Sequence, residues 1–378
     1  MSKPEKRMEE DQDRWYGNER KIGHIGKSQY VTLPPGYLKK VKGRELRAYE
    51  VGNILVLLPP ETPEPKVGEL VLQNNDPHFL EYQIITAYLN NYRRIDFTIK
   101  EPNEECADCI ERLPKKLEGL SPGFGGEIAR REIKMSTLVE PIPNLLNKMH
   151  SSIKEIHKLN QKILSSLKAP ANVELVSIET LENDIDKQSF LIKRLFYIVL
   201  TRLYLANQAG IENLSQIIHY ESVNSNLERA GDLQYRISKE LVKLLEKFKE
   251  KEKVKKVLQS ENPNYSFLNY HKAAQDMLDD AYSRDRRKII DIIKTKKQDS
   301  GFEAARHRGA YISKEFMKAI TDLTVAHPEL NCLDFIIWGL TGSATNIAEA
   351  WLNMMGPFIR QTKSNGAASR APAEIQVP

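Results

Sequence analysis

Cysteine is nearly absent from this chain, with three in 378 residues, at 106, 109 and 332. That is too few, too unevenly placed, for a disulfide framework, so a reducing compartment is expected. Long apolar runs are missing as well. Leu195–Leu200 and Phe335–Trp338 fall far short of the roughly 20 residues that a membrane helix needs. The opening residues, MSKPEKRMEEDQDRW, lack the apolar core of a secretory signal. These absences predict a cytoplasmic protein with no membrane insertion. Catalytic signatures are absent too: there is no P-loop, no G-x-S-x-G and no dinucleotide fingerprint, and Gly123-Phe124-Gly125-Gly126 is not followed by Lys-Ser/Thr. The expectation is a protein that is not an enzyme.

Charge and its placement are what the chain does have. It is 28% charged and 40% hydrophobic, and its 56 basic and 51 acidic residues leave a formal +5. The window Arg20–Arg47 holds eight basic residues and one acidic, a net +7, so the rest of the chain sums to −2. A short basic segment of this kind has the electrostatic footprint of a nucleic-acid contact. It also fits a β unit whose edges are blunted by lysine.

The texture of the chain changes along its length. From Lys21 to Leu58 the apolar residues are β-branched or aromatic and come in short runs, at Tyr30–Leu33, Leu46–Val51 and Ile54–Leu58, which predicts short strands. Gly52-Asn53 marks a tight hairpin. Pro34-Pro35-Gly36 permits a short helix over Tyr37–Val41, and Pro59–Pro65 reads as a linker. In the connector that follows, Glu81–Leu89 reads as a helix and Arg94–Ile99 as a strand, with Cys106–Gly126 mixed. Beyond about Arg130 the apolar residues recur at i, i+3 and i+4, from Leu138, Ile142, Leu145 and Met149 through Ile163 and Leu167. Similar stripes over 172–208, 211–258, 266–296, 299–325 and 331–356 predict about six helices, as three plus three.

Two acidic patterns sit on those helices. Glu182 and Asp186, and Glu228 and Asp232, are E-x-x-x-D pairs, and i, i+4 spacing puts each pair on one helix face. The pair centres lie symmetrically about residue 207, beside the break at Gly210, so an antiparallel hairpin would bring them to one height. Four carboxylates together repel, and either raised pKa values or a multivalent cation must follow. Hard oxygen donors suit Mg, Mn, Ca or oxidised iron. The other reading is a solvated, salt-bridged face with Lys187 and Arg229 as partners. Cys106-x-x-Cys109 is half of a zinc site, and incidental reduced cysteines are the simpler reading. His157, His219, His271 and His307 are scattered over the helices and read as surface or interhelix residues.

Two stretches carry a family resemblance. Arg20 to Pro34 (RKIGHIGKSQYVTLP) resembles the opening of archaeal SpoVT/AbrB-type domains, and Gly52-Asn53 with Pro59 resembles the end of that module. Lys42-Gly43-Arg44-Glu45 stands where the family usually has a longer segment. The resemblance implies a swapped-hairpin homodimer, or a higher oligomer, that binds double-stranded DNA through Arg20, Lys21, Lys27, Ser28, Lys39, Lys40, Arg44 and Arg47. ENDIDKQSFLIKRL (182–195) and LERAGDLQYRI (227–237) resemble the two E-x-x-x-D helices of a PhoU repeat, a three-helix bundle that occurs twice in PhoU proteins. Metal ligation by Glu182, Asp186, Glu228 and Asp232 is what this second resemblance implies. In the second repeat Trp338 and Gly342 stand where carboxylates belong, so metal binding is carried over to the first repeat alone.

The expected fold is therefore α+β and multidomain: a small swapped-hairpin β domain, then mainly α with two three-helix bundles. The expected boundaries are a disordered 1–18, an AbrB-like domain at 19–66, a connector at 67–134, PhoU repeats at 135–260 and 264–358, and a disordered tail at 359–378. The order matches archaeal PhoU-like phosphate uptake regulators. That implies transcription regulation through DNA, with metal bound by the helices. The alternative is a metal-binding adaptor that regulates a phosphate transporter ATPase or a sensor kinase by protein contact, without DNA.

Overall fold

The computed structural model describes residues 23–25, 28–30, 32–33, 45–52, 54–58, 66–72, 76–99, 103–122, 130–135, 140–167, 172–247, 258–259, 267–298 and 331–355. The chain is mainly helical and falls into two compact units, one of residues 1–49 and 55–63, the other of 50–54 and 64–378. No helix among the described residues is long and apolar enough to cross a membrane.

The first unit contains short strands. β1 (Gly23–Ile25) pairs antiparallel with β2 (Ser28–Tyr30). β3 (Arg47–Val51) pairs with β4 (Ile54–Leu58) in a separate two-stranded sheet, around a turn where Gly52 takes φ +57; the turn end of this hairpin, residues 50–54, belongs to the second unit. That left-handed conformation is what the Gly-Asn pattern predicts. The expected helix over Tyr37–Val41, the expected disordered ends and the 299–325 stripe lie outside the described residues.

In the second unit, the connector is a folded α/β module. β5 (Lys66–Leu72) runs parallel to β6 (Tyr92–Ile99), and the crossover between them is α1 (Pro77–Leu89). β8 (Arg130–Met135) pairs antiparallel with β6 and with β7 (Leu120–Pro122), giving the order β5-β6-β8-β7. The mixed stretch after Cys106 resolves into α2 (Glu104–Lys116) and β7. Side-chain caps start both helices: the Asp76 carboxylate accepts from the amides of His78 and Phe79, and Asn103 accepts from Cys106. Leu80, Ile84, Tyr88, Cys106, Ile110, Leu113, Leu117 and Leu120 form a core of their own.

The long helices are α3 (Ile142–Ser166), α4 (Asn172–Thr201), α5 (Gln216–Lys247), α6 (Phe267–Tyr282), α7 (Arg286–Gln298) and α8 (Asn331–Met354). α3, α4 and α5 pack pairwise, as do α6, α7 and α8, while α8 also packs on α5 and α6 on α3. One continuous apolar core joins the two sets. The apolar stripe of α3 is buried from Ile142 through Leu145, Leu146, Met149, Ile153 and Ile156 to Ile163, as its period demands. The 266–296 stripe is two helices rather than one. Ser283 Oγ accepts from the Asp285 amide, Arg284 turns left-handed at φ +58, and the Asp285 carboxylate caps α7 by accepting from Arg287 N at 2.8 Å. A serine and an aspartate with local acceptors outcompete the continuing helix at this point.

Candidate metal centre

α4 and α5 pack against each other, and Gly231 of α5 lies against Ile185 of α4. A Cβ on Gly231 would come within 2.8 Å of Ile185 Cδ1. This contact sits at the level of the acidic pairs. There Glu182 and Asp186, one turn apart on α4, meet Asp232 of α5, with one carboxylate oxygen from each lying within 4.8 Å of the others. Glu182 and Asp186 are half-buried and Asp232 is exposed.

The fourth carboxylate stands apart from this group. Glu228 Oε2 accepts from Ser189 Oγ at 2.6 Å and from Lys193 Nζ at 2.7 Å. The basic partners named by the salt-bridge reading play other parts: Lys187 lies 3.8 Å from Asp184, and Arg229 is exposed.

Electrostatics mark the cluster. Burial, then the charges of Glu182, Asp232 and Glu228, push the Asp186 carboxyl up to about 7. Burial and Asp232 raise Glu182, and burial and Glu228 raise Asp232. Lys116 opposes the shift at Asp186 and Glu182, Lys239 at Glu182 and Lys193 at Asp232, without cancelling it. A cation would remove the strain directly. Oxygens within 4.8 Å of one another can share one ion at the roughly 2.0–2.6 Å of Mg²⁺ and Ca²⁺ bonds. With no nitrogen or sulfur donor in the group, the donor set fits Mg²⁺, Mn²⁺, Ca²⁺ or ferric iron.

The centre borders the α/β module. Lys116 of α2 bonds Glu81 of α1 at 2.7 Å, and Phe190 of α4 packs on the module's core. Beside Lys193, Arg194 is 1% exposed. Its guanidinium lies 4.5 Å from the Tyr88 ring centre and donates to Asn91 Oδ1 at 3.3 Å.

Gly231 is the positioning residue that the acidic pattern alone did not single out. Gly231→Val is expected to force α4 and α5 apart, costing about 2 kcal/mol through overpacking. It should also weaken metal binding roughly tenfold or more, as removing the support around a metal site generally does. Equal metal affinity in the two proteins, measured by calorimetry, would show that the helix spacing does not set the site.

The remaining predicted residues divide plainly. Arg20, Lys21, Lys27, Lys39, Lys40 and Arg44 lie outside the described residues. Ser28 lies on β2, and Arg47 is exposed at the start of β3. Cys106 and Cys109 are both buried and form no disulfide. Cys109 is pushed up to about 11, chiefly by burial, and donates to the Pro77 carbonyl at 3.4 Å. Neither is in a group of metal-ligating residues among those described.

Two histidines read as scattered are in fact partners. His157 Nδ1 and His271 Nε2 are 3.2 Å apart in the core. His271 Nε2 also meets Gln234 Oε1 at 2.7 Å, and its Nδ1 faces Gln161 Nε2 at 3.1 Å. The network runs on through Gln234 to Gln275 at 3.1 Å and to Asp279 at 2.8 Å, where His150 and Lys154 close it. On the other side Asn160 donates to Gln234 Oε1 and accepts from Ser238. The amide donors dictate the tautomers: His271 accepts at Nδ1 and donates from Nε2, so His157 accepts at Nδ1.

Comparison with known proteins adds no relative: no family model, curated protein or solved structure matches the chain.

Proposed function

We propose that this chain is a PhoU-like regulator of phosphate uptake that binds a metal ion at Glu182, Asp186 and Asp232 and acts on DNA through an AbrB-like dimer formed by its first 66 residues. The observation that carries the reading is the convergence of three carboxylates from two helices, at the positions where the resemblance to PhoU repeats calls for ligands. Glu228, one turn from Asp232, is the fourth carboxylate that the resemblance calls for, and Ser189 and Lys193 hold it outside the group of three. The net +7 over residues 20–47 supports a role for the β module in neutralising phosphates.

Regulation follows from the position of the centre. Lys193 and Lys116 feel the charge of the cluster; Lys193 is on α4, and Lys116 is on α2 of the α/β module, which packs on α4. Neutralising the cluster changes what these lysines face. Such a difference between two states is what coupling requires.

DNA binding by the full-length protein tests the reading. Wild type is expected to bind duplex DNA with an affinity that falls steeply with salt. Lys21→Glu with Lys27→Glu should make the slope of log K against log[salt] shallower by about 0.9 for each phosphate that is no longer neutralised. Unchanged binding in that variant would remove the β module from the DNA interface and favour the adaptor for a phosphate transporter ATPase or sensor kinase.

A further inference from the structure

A second concentration of positive charge lies on the helical body, far along the chain from the β module. Residues 284–297 hold seven basic and two acidic side chains, a net +5, which equals the formal charge of the whole chain. Most of this segment is α7. Its apolar side is committed to the protein: Ile289 and Ile292 are buried, Ile293 packs against the main core, and the helix lies on α6 and α8. Arg284, Arg287 and Lys288 are exposed. Lys294 recurs two turns after Arg287.

At its N-terminal end this arrangement works against the helix itself. The first turn of α7 contains Arg286, Arg287 and Lys288 and no acidic residue, and cations at that end oppose the positive pole of the helix dipole. Asp285 caps the backbone, Asp280 meets Lys288 Nζ at 2.6 Å, and Arg284 lies 4.2 Å over the Trp351 ring. Arg287 has no side-chain partner among the described residues.

We propose that the outward face of α7 is a sequence-independent contact for the phosphate backbone of duplex DNA. A helix of 13 residues is about 20 Å long, and duplex DNA presents one charge per roughly 1.7 Å of its axis. Backbone contacts of this kind need charge and no apolar anchor. A protein partner would require such an anchor at the centre of its interface, and none of the exposed large apolar residues described lies on α7. An anionic membrane would require an apolar face free to insert, and that of α7 is buried. The contact is separate from the β module and does not depend on it.

The test compares full-length wild type with Arg287→Gln, Lys288→Gln and Lys294→Gln combined, using fluorescence anisotropy on two unrelated DNA duplexes between 50 and 200 mM salt (about the range over which phosphate contacts separate). The expected result is a slope of log K against log[salt] shallower by about 2 to 3 on both duplexes, with an unchanged melting curve. Identical slopes overturn the proposal, as does a protein that binds phosphatidylserine vesicles through these residues and leaves DNA unbound. The variant Lys21→Glu with Lys27→Glu runs beside it. A loss confined to that variant removes α7 and leaves the β module, while a loss confined to the α7 variant does the reverse.

Discussion

Asp186→Asn is expected to raise the melting temperature of the metal-free protein above pH 7 and to abolish its response to metal. Asp186 titrates near 7 when folded and near 4 when unfolded. Between those values the folded state holds the extra proton, so this group's contribution to stability falls as pH rises from 4 to 7, and its cost is complete above 7. Allowing for solvent screening at a half-buried site, that cost is about 1–2 kcal/mol. Asparagine keeps the shape and removes the charge.

At about 2–4 °C per kcal/mol for a sizeable domain, the metal-free variant should melt several degrees above wild type at pH 8 and level with it at pH 4. Wild type should gain about 2.7 kcal/mol from Mg²⁺, Mn²⁺ or Ca²⁺ at a hundredfold excess over Kd, and the variant almost nothing. Calorimetric melting with and without each ion reads both effects. A metal-free variant less stable than wild type at pH 8 would mean that the carboxylates do not repel one another in the folded protein, and a variant that still responds to metal would mean that the cluster is not the cation site.

His271→Leu is expected to destabilise the protein by about 3 kcal/mol or more at neutral pH. It removes the hydrogen bonds that His271 makes with the half-buried Gln161 and with the buried Gln234 and His157, and polar groups that lose partners in the core cost about 1–3 kcal/mol each. The network has one proton arrangement. Each histidine already accepts an N–H at one ring nitrogen, so a further proton would set N–H against N–H. Burial accordingly depresses both rings, His157 to about 4 and His271 well below its usual value.

Because the folded value lies below the unfolded 6.5, the unfolded state binds more protons between them. The stability these rings contribute is complete above about 6.5 and is lost as pH falls towards 4, at about 3 kcal/mol for His157. Asp279, held down near 2 by His150, Lys154 and Gln275 against its own burial, stays ionised throughout and keeps the outer end of the network closed. Over the same window the carboxylate cluster acts in the opposite direction and gains stability as pH falls. The metal-free wild type should therefore show a shallow acid limb, and Asp186→Asn a steeper one. Urea midpoints from pH 7 to pH 4 for wild type, Asp186→Asn and His157→Leu separate the two contributions. An acid limb in His157→Leu as steep as that of wild type would remove the histidine pair from the acid response.

Much of the helical body was legible because helix formation is local. The stripe from Ile142 to Ile163 has one period and one buried face, and the antiparallel placement of the acidic pairs followed from a break near Gly210 and a count of residues. The split at Ser283-Arg284-Asp285 was legible in principle, since a serine and an aspartate flank the turn, but an uninterrupted apolar period hid it. The α/β module was harder. β5 and β6 are joined only through α1, and parallel pairing leaves no turn motif between strands.

The candidate site shows the same division more sharply. That Glu182 and Asp186 share one face of α4, and Glu228 and Asp232 one face of α5, follows from the order of residues, because i, i+4 spacing is a property of a single helix. Tertiary structure alone decided which of the four converge. Ser189 and Lys193 of the facing helix hold Glu228 aside, and Gly231 against Ile185 brings Asp232 across. It also decided that His157 and His271, 114 residues apart, share a hydrogen bond in the core. The physical reason is common to both. Periodicity records which way a residue faces along its own helix, whereas the partner it meets depends on helix spacing and rotation, which are set by the packing of distant side chains.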